Sequence, residues 1–176
     1  MNRRSSLALG FTSLFFSFVA PMRVWGQNYP AESMSDERFW AMIDLIPGPT
    51  YDQSSTDLSR LTDELSRLPA TEIQGFFETL ARKLYALDTR AHYRAFSWFP
   101  GESDPFLYAR LSVVGHGRAY YERMLGHPAE FPSGNSPWLE TLLYVADTAY
   151  LKVTGTEFTR ESSVDFESFS NSEGWK

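Results

Sequence analysis

Hydrophobic residues in the central part of the chain recur every three or four positions, which is the spacing of an amphipathic helix. The longest such run follows Pro69. Its apolar positions are Ile73, Phe77, Leu80, Leu84, Leu87 and Ala91. The same spacing returns in shorter runs, and no stretch alternates as a half-buried strand would, so the pattern predicts an all-α protein. We expect a single small domain of about six helices packed as an irregular bundle.

Capping residues, prolines and glycines indicate where these predicted helices begin and end. Ser35 and Ser103 each precede acidic residues, an arrangement that stabilises a helix N-terminus. Gly155 is typical of a position just past a helix C-terminus. We therefore predict helices over about 35–46, 56–68, 71–92 (or 71–96), 103–114, 118–126 and 137–154.

The first 26 residues have the layout of a secretory signal. Arg3 and Arg4 precede an uncharged apolar run over residues 7–20, and residues 24–26 suit a signal-peptidase cleavage site. The run is shorter than the roughly 20 residues that span a bilayer. We expect cleavage after Gly26, an extracytoplasmic protein that is periplasmic or secreted, and no stable membrane insertion afterwards. An uncleaved signal anchor and export by the twin-arginine route remain alternatives.

The rest of the chain is predicted to contain a linker, one folded domain and a tail. Residues 27–34 are mostly polar and are predicted to be the linker, and residues 35–155 contain the helical periodicity. Residues 156–176 are acidic and rich in serine, and their aromatic residues follow no sustained period. Because such a segment buries little apolar surface, we expect the tail to be mostly disordered.

The predicted helix after Ser103 is apolar around almost its whole circumference, which indicates a central position in the bundle. Arg110 lies within it, and a buried charge is costly unless it is paired. We therefore expect a buried guanidinium bonded to a carboxylate. Two interpretations stay open: a structural ion pair between helices, or an anion-binding or partner-binding pocket. The acidic candidates for the pair are Asp104, Asp147 and Glu122, and the candidate pocket residues are Asp104, Arg110 and Arg118.

The residues that usually carry chemistry form no recognisable motif in this chain. Cysteine is absent, and the three histidines have none of the spacings typical of metal ligands. No Gly-x-Ser-x-Gly motif marks a catalytic serine. We therefore assign no catalytic residue, no metal site and no cofactor. The sequence favours a non-enzymatic protein, and the question whether it is an enzyme stays open.

The net charge bears on the kind of partner. The formal net charge of the full chain is −6, and loss of the three arginines of residues 1–26 leaves 13 basic against 22 acidic residues, a charge of −9. An acidic protein repels nucleic acid and anionic membranes. We therefore expect another protein as the partner, and no nucleic acid.

Four short motifs occur in order along the predicted domain. They are residues 36–40 (DERFW), residues 103–106 (SDPF) with Arg110, residues 117–122 (GRAYYE) with His127 and Pro128, and residues 143–150 (LYVADTAY). Together they resemble the uncharacterised bacterial family catalogued as domain of unknown function 4240, over about residues 34–155. The resemblance implies an α-helical fold and brings no established activity.

Two hypotheses about function follow. The first is an exported helical protein that binds another protein without catalysis, one version being a periplasmic immunity-type protein that neutralises a basic toxin. The second is an enzyme or small-ligand receptor with a pocket near Asp104, Arg110 and Arg118. A deep pocket lined by converging polar groups would favour the second hypothesis.

The signal generates the first prediction. Protein purified from its native host should begin near Gln27 and lie outside the cytoplasm, because residues 1–26 direct export and are then removed. N-terminal sequencing of the protein from fractionated cells measures both properties. A cytosolic chain that keeps Met1 would contradict the prediction.

Overall fold

Seven α helices make up most of the described chain. In a computed structural model, the structure describes residues 32–50, 56–97, 103–133 and 137–176. The helices are α1 (Asp36–Ile43), α2 (Ser59–Leu65), α3 (Ala70–Leu87), α4 (Arg90–Phe96), α5 (Ser103–Gly115), α6 (Arg118–Gly126) and α7 (Val145–Thr154). Two short 3-10 helices, Pro128–Glu130 and Glu140–Tyr144, join them, and these ranges contain no strand. The predicted all-α domain is confirmed, with seven helices instead of about six.

Two helix boundaries differ most from the sequence prediction. The long third helix ends at Leu87, because Thr89 caps a new helix by accepting a hydrogen bond from the backbone N–H of His92 at 3.3 Å. The last predicted helix begins as the 3-10 helix Glu140–Tyr144 and becomes α-helical only at Val145. The first break leaves Asp88 between α3 and α4.

The core lies around α5, as the apolar pattern predicted. This helix packs against α3, α6 and the 3-10 helix Glu140–Tyr144, and α3 also packs against α7. The fully buried side chains of α5 include Phe106, Leu111 and Arg110. The predicted burial of Arg110 is therefore confirmed, since its exposed fraction is 0%.

The part of the predicted linker that the structure describes packs against α3. The backbone N–H of Met34 donates to the carbonyl of Gly75 at 3.0 Å, and the Thr79 hydroxyl donates to the carbonyl of Met34 at 3.0 Å. A Cβ atom at position 75 would lie 2.6 Å from the Glu32 carbonyl oxygen, so this close approach requires glycine. The predicted signal over residues 1–26, and linker residues 27–31, lie outside the described residues.

The tail, residues 156–176, packs against the domain, which corrects the prediction that it is mostly disordered. Its aromatic side chains pack against the helical core, and its backbone binds buried side chains of the domain. Ordering such a segment costs conformational entropy, which these contacts offset. In the part of the chain that the structure describes, no helix combines the length and apolar character needed to cross a membrane.

His92 ties α4 to α6 and leads to a prediction about pH. Its side chain is buried, its Nε2 atom lies 3.1 Å from the Met124 carbonyl oxygen, and its Nδ1 atom lies 2.7 Å from the Thr89 hydroxyl. Burial lowers the pKa of His92 below its ordinary value of 6.5. His92 therefore binds a proton less tightly in the folded state than in the unfolded state.

We expect this histidine to reduce stability below pH 6.5. Its contribution is full above the unfolded pKa and is lost as the pH falls from there through the lower folded pKa, by at most about 1.4 kcal/mol per pH unit. Urea unfolding at pH 7.5 and 5.5 should show a larger loss for the wild type than for His92→Gln. The exposed His127→Gln control should behave as the wild type. Equal losses in all three proteins would contradict the prediction.

Candidate functional site

Three charged side chains are fully buried beneath the tail. Glu78 lies on α3, Asp88 follows that helix and Arg110 lies on α5, and the exposed fraction of each is 0%. Burying a charge is unfavourable unless hydrogen bonds replace its lost water. All three side chains bond to residues 163–171 of the tail. With the adjacent rings of Phe77 and Tyr93, they form a surface that we call the tail groove.

Asp88 binds the main chain of the tail. One carboxylate oxygen accepts from the backbone N–H of Phe169 at 3.0 Å, and the other accepts from the N–H of Asn171 at 3.0 Å. Between these two donors, the Ser170 hydroxyl lies 3.4 Å from the second oxygen. Phe169 has a φ of 73°, in the left-handed region that bulky residues rarely adopt. Asp88 therefore recognises a particular turn of backbone, and two of its three contacts do not depend on side-chain identity.

Glu78 also binds the main chain of the tail, nearer the start of the tail. It accepts from the backbone N–H of Ser163 at 2.8 Å and from the hydroxyl of the same residue, and Arg82 Nε donates to it at 2.6 Å. Burial acts to raise the pKa of Glu78, but the bonds from Ser163 and Arg82 outweigh it and hold the pKa below its ordinary value. The carboxylate is thus charged and held by the tail and by Arg82 together.

Arg110 binds the tail with the opposite polarity, as a donor. Its Nη1 atom donates to the carbonyl of Leu84 at 2.9 Å and to that of Phe166 at 3.1 Å, and its Nη2 atom donates to the Ser168 hydroxyl at 2.9 Å. The guanidinium lies over the Phe106 ring, 4.8 Å from the ring centre. Its Nε atom is buried without a hydrogen-bond partner. Burial lowers the pKa of Arg110 to about 10, although Asp88 and two tail acids oppose this shift.

The prediction that Arg110 bonds to a carboxylate is therefore wrong for the described residues. Each predicted acid bonds elsewhere: Asp104 to the Ser103 hydroxyl at 3.0 Å, Asp147 to Arg160, and Glu122 to Arg118 at 2.7 Å. Instead, carbonyl and hydroxyl oxygens of α3 and the tail accept the hydrogen bonds from Nη1 and Nη2 of Arg110. Sequence spacing gave no indication of these partners, since Arg110 and Ser168 are 58 positions apart.

Asp104, Arg110 and Arg118 do not bond to one another in the part of the chain that the structure describes. Arg118 lies on the surface of α6, half exposed and paired with Glu122. Asp104 is connected to Arg110 only indirectly, because Ser168 donates to the Ser103 carbonyl at 2.6 Å while the Ser103 hydroxyl donates to Asp104. Arg110 faces the tail instead.

Aromatic side chains fix both halves of the tail. Phe158 and Phe166 pack edge-on against Phe77, with ring centres 5.3 and 5.6 Å away. Phe169 and Trp175 pack against Tyr93 at 5.3 and 5.5 Å. The presence of four aromatic residues in so short a segment was the sequence signal for docking, since disordered segments are poor in aromatic residues.

The end of the tail is bound through its main chain as well. Arg90 at the start of α4 donates from its backbone N–H to the Gly174 carbonyl at 2.9 Å and from Nη2 to the Trp175 carbonyl at 2.6 Å. A Cβ atom at position 174 would lie 2.8 Å from Thr89 Cγ2 and 2.9 Å from the Asp88 carbonyl oxygen. Only glycine permits this close contact.

Several open clefts lie elsewhere on the described surface. Two of about 370 and 390 Å³ flank Arg160, one beneath residues 160–166 and one between α7 and the start of the tail. A third, of about 230 Å³, lies beside Asp36, Lys83 and Tyr121. Across the described ranges, no three His, Asp or Glu side chains are grouped so as to hold a metal ion.

The model of one protein family, described as "Protein of unknown function (DUF4240)", matches residues 34–152. The chain belongs to this family. The match includes all five residues of the tail groove and ends before the tail begins. The DUF4240 region thus contains the buried charges, and the tail residues that bind them follow it in the chain. No curated protein and no solved structure shows significant similarity to this chain.

Asp88 provides a test of how the tail is held. Asp88→Asn should lower the free energy of unfolding by about 2–3 kcal/mol, because the amide loses the charge and offers one acceptor to the donors of the tail. Urea unfolding measures this loss, and hydrogen exchange should show faster exchange at the amides of Phe169 and Asn171.

The control for this variant is Asp63→Asn, which removes an exposed carboxylate that pairs with Lys152 on the surface. It should change the stability by no more than about 0.5 kcal/mol and leave the tail amides protected. If Asp88→Asn were as mild as this control, the tail would not depend on Asp88.

Proposed function

We propose that this protein is an exported, non-enzymatic module that binds another protein, and that the tail groove is its binding surface. The observation that carries the proposal is the way the groove holds the tail. Its buried charges bind main-chain groups of an extended segment, and its aromatic rings receive that segment's aromatic side chains. This is the chemistry of peptide recognition, in which main-chain bonds provide affinity and side-chain contacts provide selectivity.

The polarity of the groove supports this proposal. In the groove, Glu78 and Asp88 accept from backbone N–H groups and Arg110 donates to a backbone carbonyl, while Arg90 beside the groove also donates to a carbonyl. Every extended segment carries both kinds of group. A segment of another protein can therefore make the same bonds once it replaces the tail.

The proposal assigns these charged groups to binding instead of catalysis. Both oxygens of Glu78 and of Asp88 accept hydrogen bonds from the tail, and two nitrogens of Arg110 donate to it. Groups committed in this way hold a ligand in position. They would have to be released before they could act on a substrate.

Location and charge support the remaining parts of the proposal. The layout of residues 1–26 indicates an exported protein, and a charge of −9 without them favours a protein partner over nucleic acid. An immunity-type protein that neutralises a basic toxin is one form that such a module would take. The partner then presents an extended segment to the tail groove.

Exchange of the tail tests the proposal. A protease site placed between the exposed Gly155 and Thr156 would allow the folded protein to be cut so that the tail is held without a covalent link. The cut tail should exchange with a fluorescent peptide of residues 156–176, measured by anisotropy. A Phe166→Ala peptide should bind at least about tenfold more weakly, because it leaves the Phe77 contact empty.

A Glu173→Gln peptide is the matched control, because Glu173 is exposed and contacts only Lys176 in the described tail. It should bind as the native peptide does. The proposal fails if the cut tail exchanges only at urea concentrations that unfold the helices, since the tail would then be a permanent part of the core.

A further inference from the structure

The tail leaves one part of the tail groove incompletely bonded. The Nε atom of Arg110 is buried and has no hydrogen-bond partner, while Nη2 of the same side chain donates to Ser168. In a guanidinium group, Nε and Nη2 lie along one edge and their hydrogens point in parallel. A hydroxyl oxygen engages one of these donors, and a carboxylate engages both. Ser168 therefore occupies a position that a carboxylate would fill better.

The same chain contains an example of this pairing. Arg160 uses its Nε and Nη2 edge to bind Asp147, with Nε 3.1 and 3.0 Å from the two carboxylate oxygens. That pair is only about 30% exposed on each side. Arg110 presents the same edge, fully buried, to a serine.

Displacement of the tail would also change the charge around Arg110. The carboxylates that favour its charged form are those of Asp88, Glu167 and Asp165. Glu167 and Asp165 belong to the tail and leave with it. Asp88 stays, but its two oxygens are directed at backbone donors of the bound segment. A replacement segment without an acidic side chain near Arg110 would leave the buried positive charge with too little negative charge around it.

We propose that the partner's segment carries an aspartate at the position of Ser168, with aromatic residues at the positions of Phe166 and Phe169, and that this aspartate enables it to displace the tail. This inference rests on the proposed function of the tail groove. The aspartate forms a two-bond pair with Nε and Nη2 of Arg110, and the flanking aromatic residues pack against Phe77 and Tyr93 as those of the tail do.

An aspartate at the position of Ser168 gains the pair with Arg110 but loses one hydrogen bond. The Ser168 hydroxyl donates to the Ser103 carbonyl at 2.6 Å, and a carboxylate cannot make that bond. A paired, charge-assisted bond is roughly twice as strong as a neutral one, and the segment also supplies the negative charge that the tail acids took away. The balance therefore favours the aspartate.

Three peptides decide the question with the cut protein described above. Each covers residues 156–176, one with the native sequence, one with Ser168→Asp and one with Ser168→Asn. Asparagine matches aspartate in size, so the comparison isolates the charge. We expect the Asp peptide to bind at least tenfold more tightly than the Asn peptide, in anisotropy competition at pH 7.5. In an Arg110→Lys protein, which lacks the guanidinium edge, this ratio should shrink.

The uncut chain gives a second measurement that needs neither exchange nor a change at Arg110. Ser168→Asp should raise the melting temperature relative to Ser168→Asn, because the same pair forms within one molecule. Equal binding of the Asp and Asn peptides, or equal melting temperatures of the two variants, overturns the inference while leaving the proposed function intact. If even the native peptide fails to exchange, the proposed function fails and this inference fails with it.

Discussion

The burial of three charged side chains inside a helical bundle is the constraint on which the rest of this structure depends. Glu78, Asp88 and Arg110 are each fully covered. A helix uses most of its N–H and C=O groups internally and has few to offer to its neighbours. An extended segment carries a free donor and a free acceptor at nearly every residue. The tail is thus the element that allows these charges to be buried at all.

The same constraint explains why an acidic, serine-rich segment becomes ordered. The tail contributes backbone N–H donors at residues 163, 169 and 171 to Glu78 and Asp88. It also contributes carbonyl acceptors at residues 166 and 174, which accept from Arg110 and from the backbone N–H of Arg90. Its aromatic side chains add apolar contact with Phe77 and Tyr93. Together these contacts offset the conformational entropy lost on ordering the segment.

The stability of the domain is coupled to the docking of its tail. The DUF4240 match contains the tail groove, and the residues that bind it follow the match in the chain. Any segment that replaced the tail would have to supply the same backbone groups, because buried charges left without partners cost several kcal/mol. The tail and the folded domain therefore depend on one set of hydrogen bonds.

The sequence by itself determined the local elements. Apolar spacing predicted the helices, Ser35 predicted the first cap, and the apolar circumference of residues 103–114 predicted a central helix with a buried Arg110. These features depend on neighbours within one or two helical turns. The candidate pocket did not follow from these patterns, because Arg118 pairs with Glu122 and Arg110 bonds to the tail.

Only the tertiary structure decided the partners of the buried charges. The bonds of Glu78 and Asp88 to the tail span more than 80 positions. Their donors are mostly backbone N–H groups, which every residue except proline possesses and which therefore leave no mark in the sequence. The docking of the tail follows from those bonds. Side-chain patterns specify helices, whereas main-chain recognition becomes visible only when the chain is folded.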